Sequence, residues 1–277
     1  MASGTQNSTK NPLGRATQYP RQYSPDSLFA IPRIDARKAL GINDPLPFRG
    51  EDVWNAWEFS WLAADGRPRI AVAEIRVPAD SPKLVESKSL KLYLNSFAMT
   101  RFDEKSLAQQ TIAADLAVRT GSPVAVWLHD LGQDDSPAIG KLPGDCIDQA
   151  PATFDSKTVD PAILRSDATE IVREELYSNL LRSNCPVTGQ PDTGTILVRY
   201  RGPKLDHGSL LEYLVSFRHL EEFHENCVER VFVDLKSHCS PSQLTVYARY
   251  NRRGGIDINP FRSDFEERAD NLRLARQ

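Results

Sequence analysis

The chain has 277 residues, 40% hydrophobic and 26% charged, the balance of an ordinary globular protein. At ~150 residues per domain the length predicts about two units. Its 34 basic and 37 acidic residues leave a formal net charge of −3, which excludes a general nucleic-acid coat and a polybasic membrane binder.

Residues 1–50 read as an N-terminal segment, polar and Pro-containing over residues 1–27 and without the apolar core of an export signal. From Val53 the pattern changes. Val53, Trp57, Phe59 and Trp61 recur at even spacing, Ala64-Asp65-Gly66-Arg67 supplies a turn, and Ile70 to Val77 is β-rich, so the two runs predict a hairpin. A helix is predicted from near Glu86–Ser89, carrying Leu90, Tyr93, Leu94 and Phe97. A second follows Asp103 and carries Leu107, Ile112 and Leu116. Gly121 ends it, and Val124 to Leu128 is another strand. These elements make a first module over 51–131.

A turn-rich bridge spans 132–168, and the second module, 169–277, repeats the order. Ile171 to Leu181 is ambiguous and is read as a strand, and Thr195 to Tyr200 is a clear one. Leu210, Leu214 and Phe217 fall at helical spacing, as do His224, Val228, Val231 and Leu235. Leu244 to Tyr250 and Ile256 to Phe261 are the last predicted strands. Hairpin-joined strands with helices gathered on one face give an α+β fold with antiparallel sheets. No G-x-G-x-x-G follows a strand, so a Rossmann dinucleotide site is not indicated.

No run of 18 uncharged apolar residues occurs, so no transmembrane helix is expected and a cytoplasmic location is. Cys146, Cys185, Cys227 and Cys239 are then expected as free thiols. With no C-x-x-C pair and no H-E-x-x-H pattern, no metal is expected.

Four stretches could carry chemistry. In Ser183-Asn-Cys-Pro-Val-Thr-Gly-Gln-Pro-Asp-Thr-Gly194, Cys185 stands where a regular element ends and a turn-rich loop begins, with Asp192 expected in the same loop. A thiolate there is a nucleophile, and a neighbouring acid can protonate a nitrogen that gains charge. The alternative is a small buried Cys185 beside a turn aspartate. In Leu220 to Val228, His224 and Glu225 are either a pair of ligand contacts or a half-buried histidine beside a solvated carboxylate. Glu86-Ser87-Lys88-Ser89 opens a helix whose free N–H groups, with Lys88 and Lys91, would suit a phosphate. The alternative is a capped, solvated helix start. Arg252-Arg253-Gly254-Gly255 is either a phosphate clamp or an exposed basic turn.

Together these stretches resemble the NADPH-dependent 7-cyano-7-deazaguanine reductases, the QueF nitrile reductases of queuosine biosynthesis. The resemblance is densest over Glu86 to Phe97, Ser183 to Pro186 with Asp192, Ser216 to His219, Glu222 to Glu225 and Arg252 to Pro260. With the signature in the first module and the cysteine in the second, the chain is similar to the long, two-module form. The resemblance implies tandem tunnelling-fold (T-fold) modules, each an antiparallel sheet with two helices on one face, and a homodimer making no direct contact with nucleic acid or membrane. It implies that Cys185 adds to the nitrile to form a thioimide, that Asp192 protonates the nitrogen, and that NADPH reduces the product to 7-aminomethyl-7-deazaguanine. Glu86, Ser87, Lys88, His224 and Glu225 are then expected at the substrate. Lys88, Ser89, Arg253 and Gly254 are expected at NADPH, with Lys91 and Arg252 as further cationic contacts. Two alternatives remain: a relative that adds an amine to the nitrile without NADPH, and a non-catalytic purine- or pterin-binding module in which Cys185 is structural.

Overall fold

The computed structural model describes residues 19–132 and 139–277. In chain order its elements are β1 (Ala30–Pro32), α1 (Ile34–Ala39), β2 (Arg49–Leu62), β3 (Pro68–Pro78), β4 (Lys83–Val85), α2 (Ser87–Asn95), α3 (Lys105–Thr120) and β5 (Ala125–Asp130). Then come β6 (Ile139–Gly140), β7 (Asp145–Cys146), β8 (Ser166–Asn184), β9 (Pro191–Leu205), α4 (His207–Ser216), α5 (His224–Cys239), β10 (Gln243–Tyr250), β11 (Ile256–Ser263) and β12 (Arg273–Leu274). The fold is mixed α+β with mainly antiparallel strands. Among the described residues, 19–33, 56–77 and 81–132 form one compact unit, and 34–55, 78–80 and 139–277 form another.

In the first unit the chain leaves β2 through a turn closed by the Ala63 and Gly66 amides and returns as β3. The alternating aromatic residues of β2 make this hairpin readable in the sequence. β3 pairs antiparallel with β5, from Ala71 opposite Asp130 to Arg76 opposite Ala125. α3 stops at Gly121, where the sequence predicts it. Phe97 centres an aromatic cluster, with ring centroids 5.3 Å from Tyr23, 5.4 Å from Phe59 and 5.1 Å from both Tyr93 and Phe102. The Tyr23 and Tyr93 hydroxyls both donate to Asp115 Oδ2, at 2.6 and 2.5 Å.

In the second unit β11, β10, β9, β8 and β7 lie side by side in that order. All these pairs are antiparallel except the short β7–β8 pair. Alternate residues face the helices: Ile196, Val198 and Tyr200 of β9 and Leu244, Val246 and Ala248 of β10 join Leu210, Leu214, Val228, Val231 and Leu235 in one core. Each Leu, Ile or Val side chain among them contributes roughly 1.5–3 kcal/mol by leaving water. The residues between them face the other way. Leu197 and Tyr247 pack there with Val53, Phe261 and Ala269, so the sheet is buried on both faces at β10 and β11.

A buried ion network ties α1, β2, α5 and β11 within this unit. Glu229 Oε1 accepts from Arg37 Nη2 at 2.7 Å and from Arg262 Nε and Nη2 at 3.0 and 2.9 Å, and Oε2 accepts from Arg37 Nε at 3.0 Å. Arg262 also lies 2.9 Å from Asp52.

Among the described residues the bridge region carries short elements before β8. It holds β6, β7 and a 3-10 turn at Pro161–Ile163, and β8 begins at Ser166. Residues 133–138 of that bridge and residues 1–18 lie outside the described residues.

Candidate active site

The β8–β9 hairpin builds the site. Asn184 pairs with Pro191 and Ser183 with Asp192, which leaves residues 185–190 as the turn. Its ends are closed by Cys185 N–H donating to Gln190 O at 2.8 Å and Gly189 N–H donating to Cys185 O at 2.9 Å. Gly189 sits at φ +67° with open space around its missing Cβ, so glycine is needed there for its left-handed backbone. Asn184 fastens the turn to the connection between α4 and α5. Its N–H donates to Leu220 O at 2.8 Å, its Nδ2 to Arg218 O at 2.9 Å, and its carbonyl accepts from Glu222 N–H at 3.0 Å.

Asp192 is therefore a strand residue, which corrects the expectation that it shares the loop with the cysteine. Pro191 and Gly194 resemble turn residues in the sequence. A proline is tolerated at the first position of a strand, and the ladder fixes what a loop would have left free.

Cys185 is 5% exposed. Burial pushes its thiol up, but the Thr188 hydroxyl, the Val187 and Thr188 amides and Arg253 donate toward the sulfur, and the net result lies below the ordinary thiol value. Such donors favour the thiolate. Cys227 is the contrast, since burial first and then Glu222 push it up to about 12.

Asp192 is 8% exposed. Arg253 Nη1 lies 3.0 Å from its Oδ1 and His224 Nε2 lies 3.3 Å from its Oδ2. Arg253 is aimed by a tight turn in which Gly254 and Gly255 adopt φ +64° and +80° and Arg253 N–H donates to Ile256 O at 2.9 Å. Two successive positive-φ residues are the mark of a type I′ turn. His224 opens α5, and its ring stacks on Tyr250 with centroids 3.8 Å apart and planes 10° from parallel. Glu225 follows in the same helical turn and is 2% exposed, so it is not the solvated carboxylate of the simpler sequence reading. The second unit thus gathers Cys185, Asp192, His224 and Arg253 around one anchored turn, with Glu225 next in chain to His224.

Glu86, Ser87, Lys88 and Ser89 belong to the first unit. Glu86 is fully buried and caps its own helix, its carboxylate accepting from the Lys88 and Ser89 amides at 2.7 and 2.8 Å. Burial pushes its carboxyl up, and those two amides only partly offset this. The expected free N–H groups at this helix start are therefore occupied at Lys88 and Ser89. Ser89 is also fully buried, its hydroxyl donating to Glu86 O at 2.6 Å and accepting from Phe29 N–H at 3.0 Å. Ser87 and Lys88, the other two residues of this stretch, are half-buried.

Sequence reasoning missed Thr188 and Tyr250. Thr188 stands three residues after the cysteine, a spacing that suits a side chain folding back in a turn. Tyr250 carried no signal beyond its place at the end of a strand. Among the described residues no group of three or more His, Cys, Asp or Glu side chains is placed to hold a metal ion, and no helix is long and apolar enough to cross a membrane.

Comparison with known proteins adds an independent finding. A family profile described as "Nitrile reductase, 7-cyano-7-deazaguanine-reductase N-term" matches residues 19–128, and one described as "QueF-like protein" matches residues 191–269. The NADPH-dependent 7-cyano-7-deazaguanine reductase of Chromohalobacter salexigens is 52% identical over 268 residues, covering 96% of each chain. That of Azoarcus sp. strain BH72 is 51% identical over 269 residues, covering 96% of this chain and 95% of its own.

Proposed function

The chain belongs to the family of NADPH-dependent 7-cyano-7-deazaguanine reductases, and from that premise we propose that Cys185 is its nucleophile and that Asp192, His224 and Arg253 manage charge and protons around it. The activity is NADPH-dependent reduction of the nitrile 7-cyano-7-deazaguanine to the primary amine, a step of queuosine biosynthesis. The carrying observation is a buried thiol held below its ordinary value by donors from its own turn and by Arg253, which also faces Asp192.

The chemistry balances on these residues. Cys185 sulfur bonds to the nitrile carbon, and the thiol proton passes to the nitrogen by way of Asp192, giving a thioimide. NADPH, which Arg253 and Gly254 would hold, would supply a hydride for each of two additions, one at this carbon and, after loss of the thiol, one at the resulting imine. Each addition also needs one proton at nitrogen, two in all. Asp192 is placed to hand these over, and His224 on its Oδ2 is placed to replenish it. Arg253 offsets the charge of Asp192 and of the thiolate. This gives His224 a proton-handling role in addition to the substrate contact expected from the sequence. Glu225, a buried carboxyl group that is acceptor-only in its ionised form, is suited to the ring N–H and exocyclic amine of the deazaguanine.

For the dinucleotide phosphates, Arg253 and the exposed Gly254 fit, since the arginine side chain is 35% exposed and the glycine adds no Cβ. Ser89 does not fit, being buried with its hydroxyl engaged. We read each unit as a tunnelling-fold module, supported by antiparallel strands accompanied by α2 and α3 in one unit and by α4 and α5 in the other. The protein is read as a cytoplasmic homodimer with no direct nucleic-acid or membrane partner.

The test is NADPH consumption with 7-cyano-7-deazaguanine beside Cys185→Ala. The expected result is two NADPH oxidised per nitrile, with neither turnover nor a mass-detected covalent adduct in the variant. A variant that still turns over removes Cys185 from the mechanism.

A further inference from the structure

Tyr250 is a junction between the two faces of its sheet. Its ring points to the helices and stacks on His224. The preceding Arg249 points to the opposite face, where it is fully buried and donates from Nη1 to Tyr247 Oη at 2.5 Å and to Asn271 Oδ1 at 2.9 Å. On that face lies Gln277, 4% exposed, with every hydrogen-bonding position of its side-chain amide engaged in the way such a group allows. Its Oε1 accepts from Arg249 Nε and Leu274 N–H, both at 3.0 Å. Its Nε2 donates to Asn259 Oδ1 and to the Tyr250 carbonyl, both at 2.9 Å. Asn259 Oδ1 in turn accepts from Tyr250 N–H at 3.2 Å. The peptide groups on both sides of Tyr250 Cα are therefore held from the face opposite its ring.

We propose that Gln277 is a positioning residue for the reduction, fixing the Tyr250 backbone so that its ring holds His224 against Asp192. The inference rests on the proton-handling role given above to Asp192 and His224. Gln277 touches no reacting atom. Its effect falls on the two hydride steps, which need protons from outside the substrate and thiol. Thioimide formation uses the thiol's own proton and does not draw on His224.

Gln277→Glu separates positioning from general structural support. It keeps the shape and both acceptor contacts, adds charge attraction to Arg249, and turns an oxygen toward the Tyr250 carbonyl. The expected result is adduct formation at the parent rate without NADPH and an unchanged KM for the nitrile in a folded protein whose thermal midpoint falls by a few degrees at most for the lost donor contacts, with kcat down by about ten- to a hundredfold. Gln277→Asn, which draws the amide back by one methylene without adding charge, should show the same split, and it serves if the glutamate variant does not fold. Parent-like kcat in a folded variant overturns the proposal. So does a loss of kcat matched by equal losses in adduct formation and thermal stability, which is the signature of a structural role. His224→Ala separates the two levels of inference. If it turns over normally, the proton reading fails and the positioning role falls with it. If it is impaired while the Gln277 variants are not, only the positioning role fails.

Discussion

Replacing Thr188 with valine tests how the reactive thiol is activated. Its hydroxyl is one of four donors directed at Cys185, beside the Val187 and Thr188 amides and Arg253, which together outweigh the opposing effect of burial. Valine keeps the branched shape and removes only the donor. A hydrogen bond to a charged group contributes about 1.5–3 kcal/mol. Thr188 itself is exposed, so solvent competes and the lower end applies, about 1.5 kcal/mol, or roughly tenfold less thiolate at a fixed neutral pH. The assay is the alkylation rate of Cys185 in a Cys146→Ser background, because Cys146 is exposed whereas Cys227 and Cys239 are buried thiols pushed up by that burial. Alkylation and adduct formation should slow together by about tenfold. An unchanged or faster alkylation rate, with the thermal midpoint preserved, would refute this account of the activated thiol.

Two further outcomes follow from the second unit. Glu229→Gln breaks a carboxylate that answers two buried guanidinium groups, Arg37 and Arg262; urea unfolding should show a loss of about 3–5 kcal/mol, and a loss under about 1 kcal/mol would mean that the network contributes little. Asp148 accepts from Ser178 Oγ at 2.7 Å and from Asn179 Nδ2 at 2.8 Å. Burial raises its carboxyl, but these donors hold it net below the ordinary value. A depressed folded-state value means stability that is fully present above about pH 4 and lost as the pH falls through the lower folded value. Asp148→Asn should flatten that acid limb in thermal melts, and an identical limb would remove Asp148 as its source.

The elements with strong periodicity were legible in the sequence. The alternating aromatic residues of β2 give the first hairpin, Gly121 gives the end of α3, and the proline- and glycine-rich stretch after Asn184 gives the cysteine turn. What escaped depends on direction in space. Asp192 reads as a loop residue because its neighbours are Pro191 and Gly194, yet the ladder opposite Ser183 puts it on a strand. Glu86 reads as a ligand contact, and its carboxylate also caps its own helix through the Lys88 and Ser89 amides, an engagement that residue spacing does not reveal. His224 was singled out, but its stacking on Tyr250 joins a helix start to a strand end, and no spacing in the sequence encodes that distance. The charged first half of β8 obscured its length, since Asp167 to Ile171 are all exposed and lack the apolar rhythm of a core strand.

The hairpin that carries Cys185 and Asp192 also bears on how this stretch can vary. Asp192 shares its side of β9 with Ile196, Val198 and Tyr200 of the main core. If a residue inserted into or deleted from the 185–190 turn were taken up by the ladder instead of by the turn, the pairing would slip and turn every side chain of β9 over. Leu197 and Arg199 would then point at the helices, and the core side chains would leave with the aspartate. The separation of nucleophile and acid along the chain is therefore guarded by folding as well as by catalysis. A variant with a slipped ladder would be lost as an unstable protein before it could be tried as a poor enzyme, so any change of length in this stretch has to be absorbed within the turn.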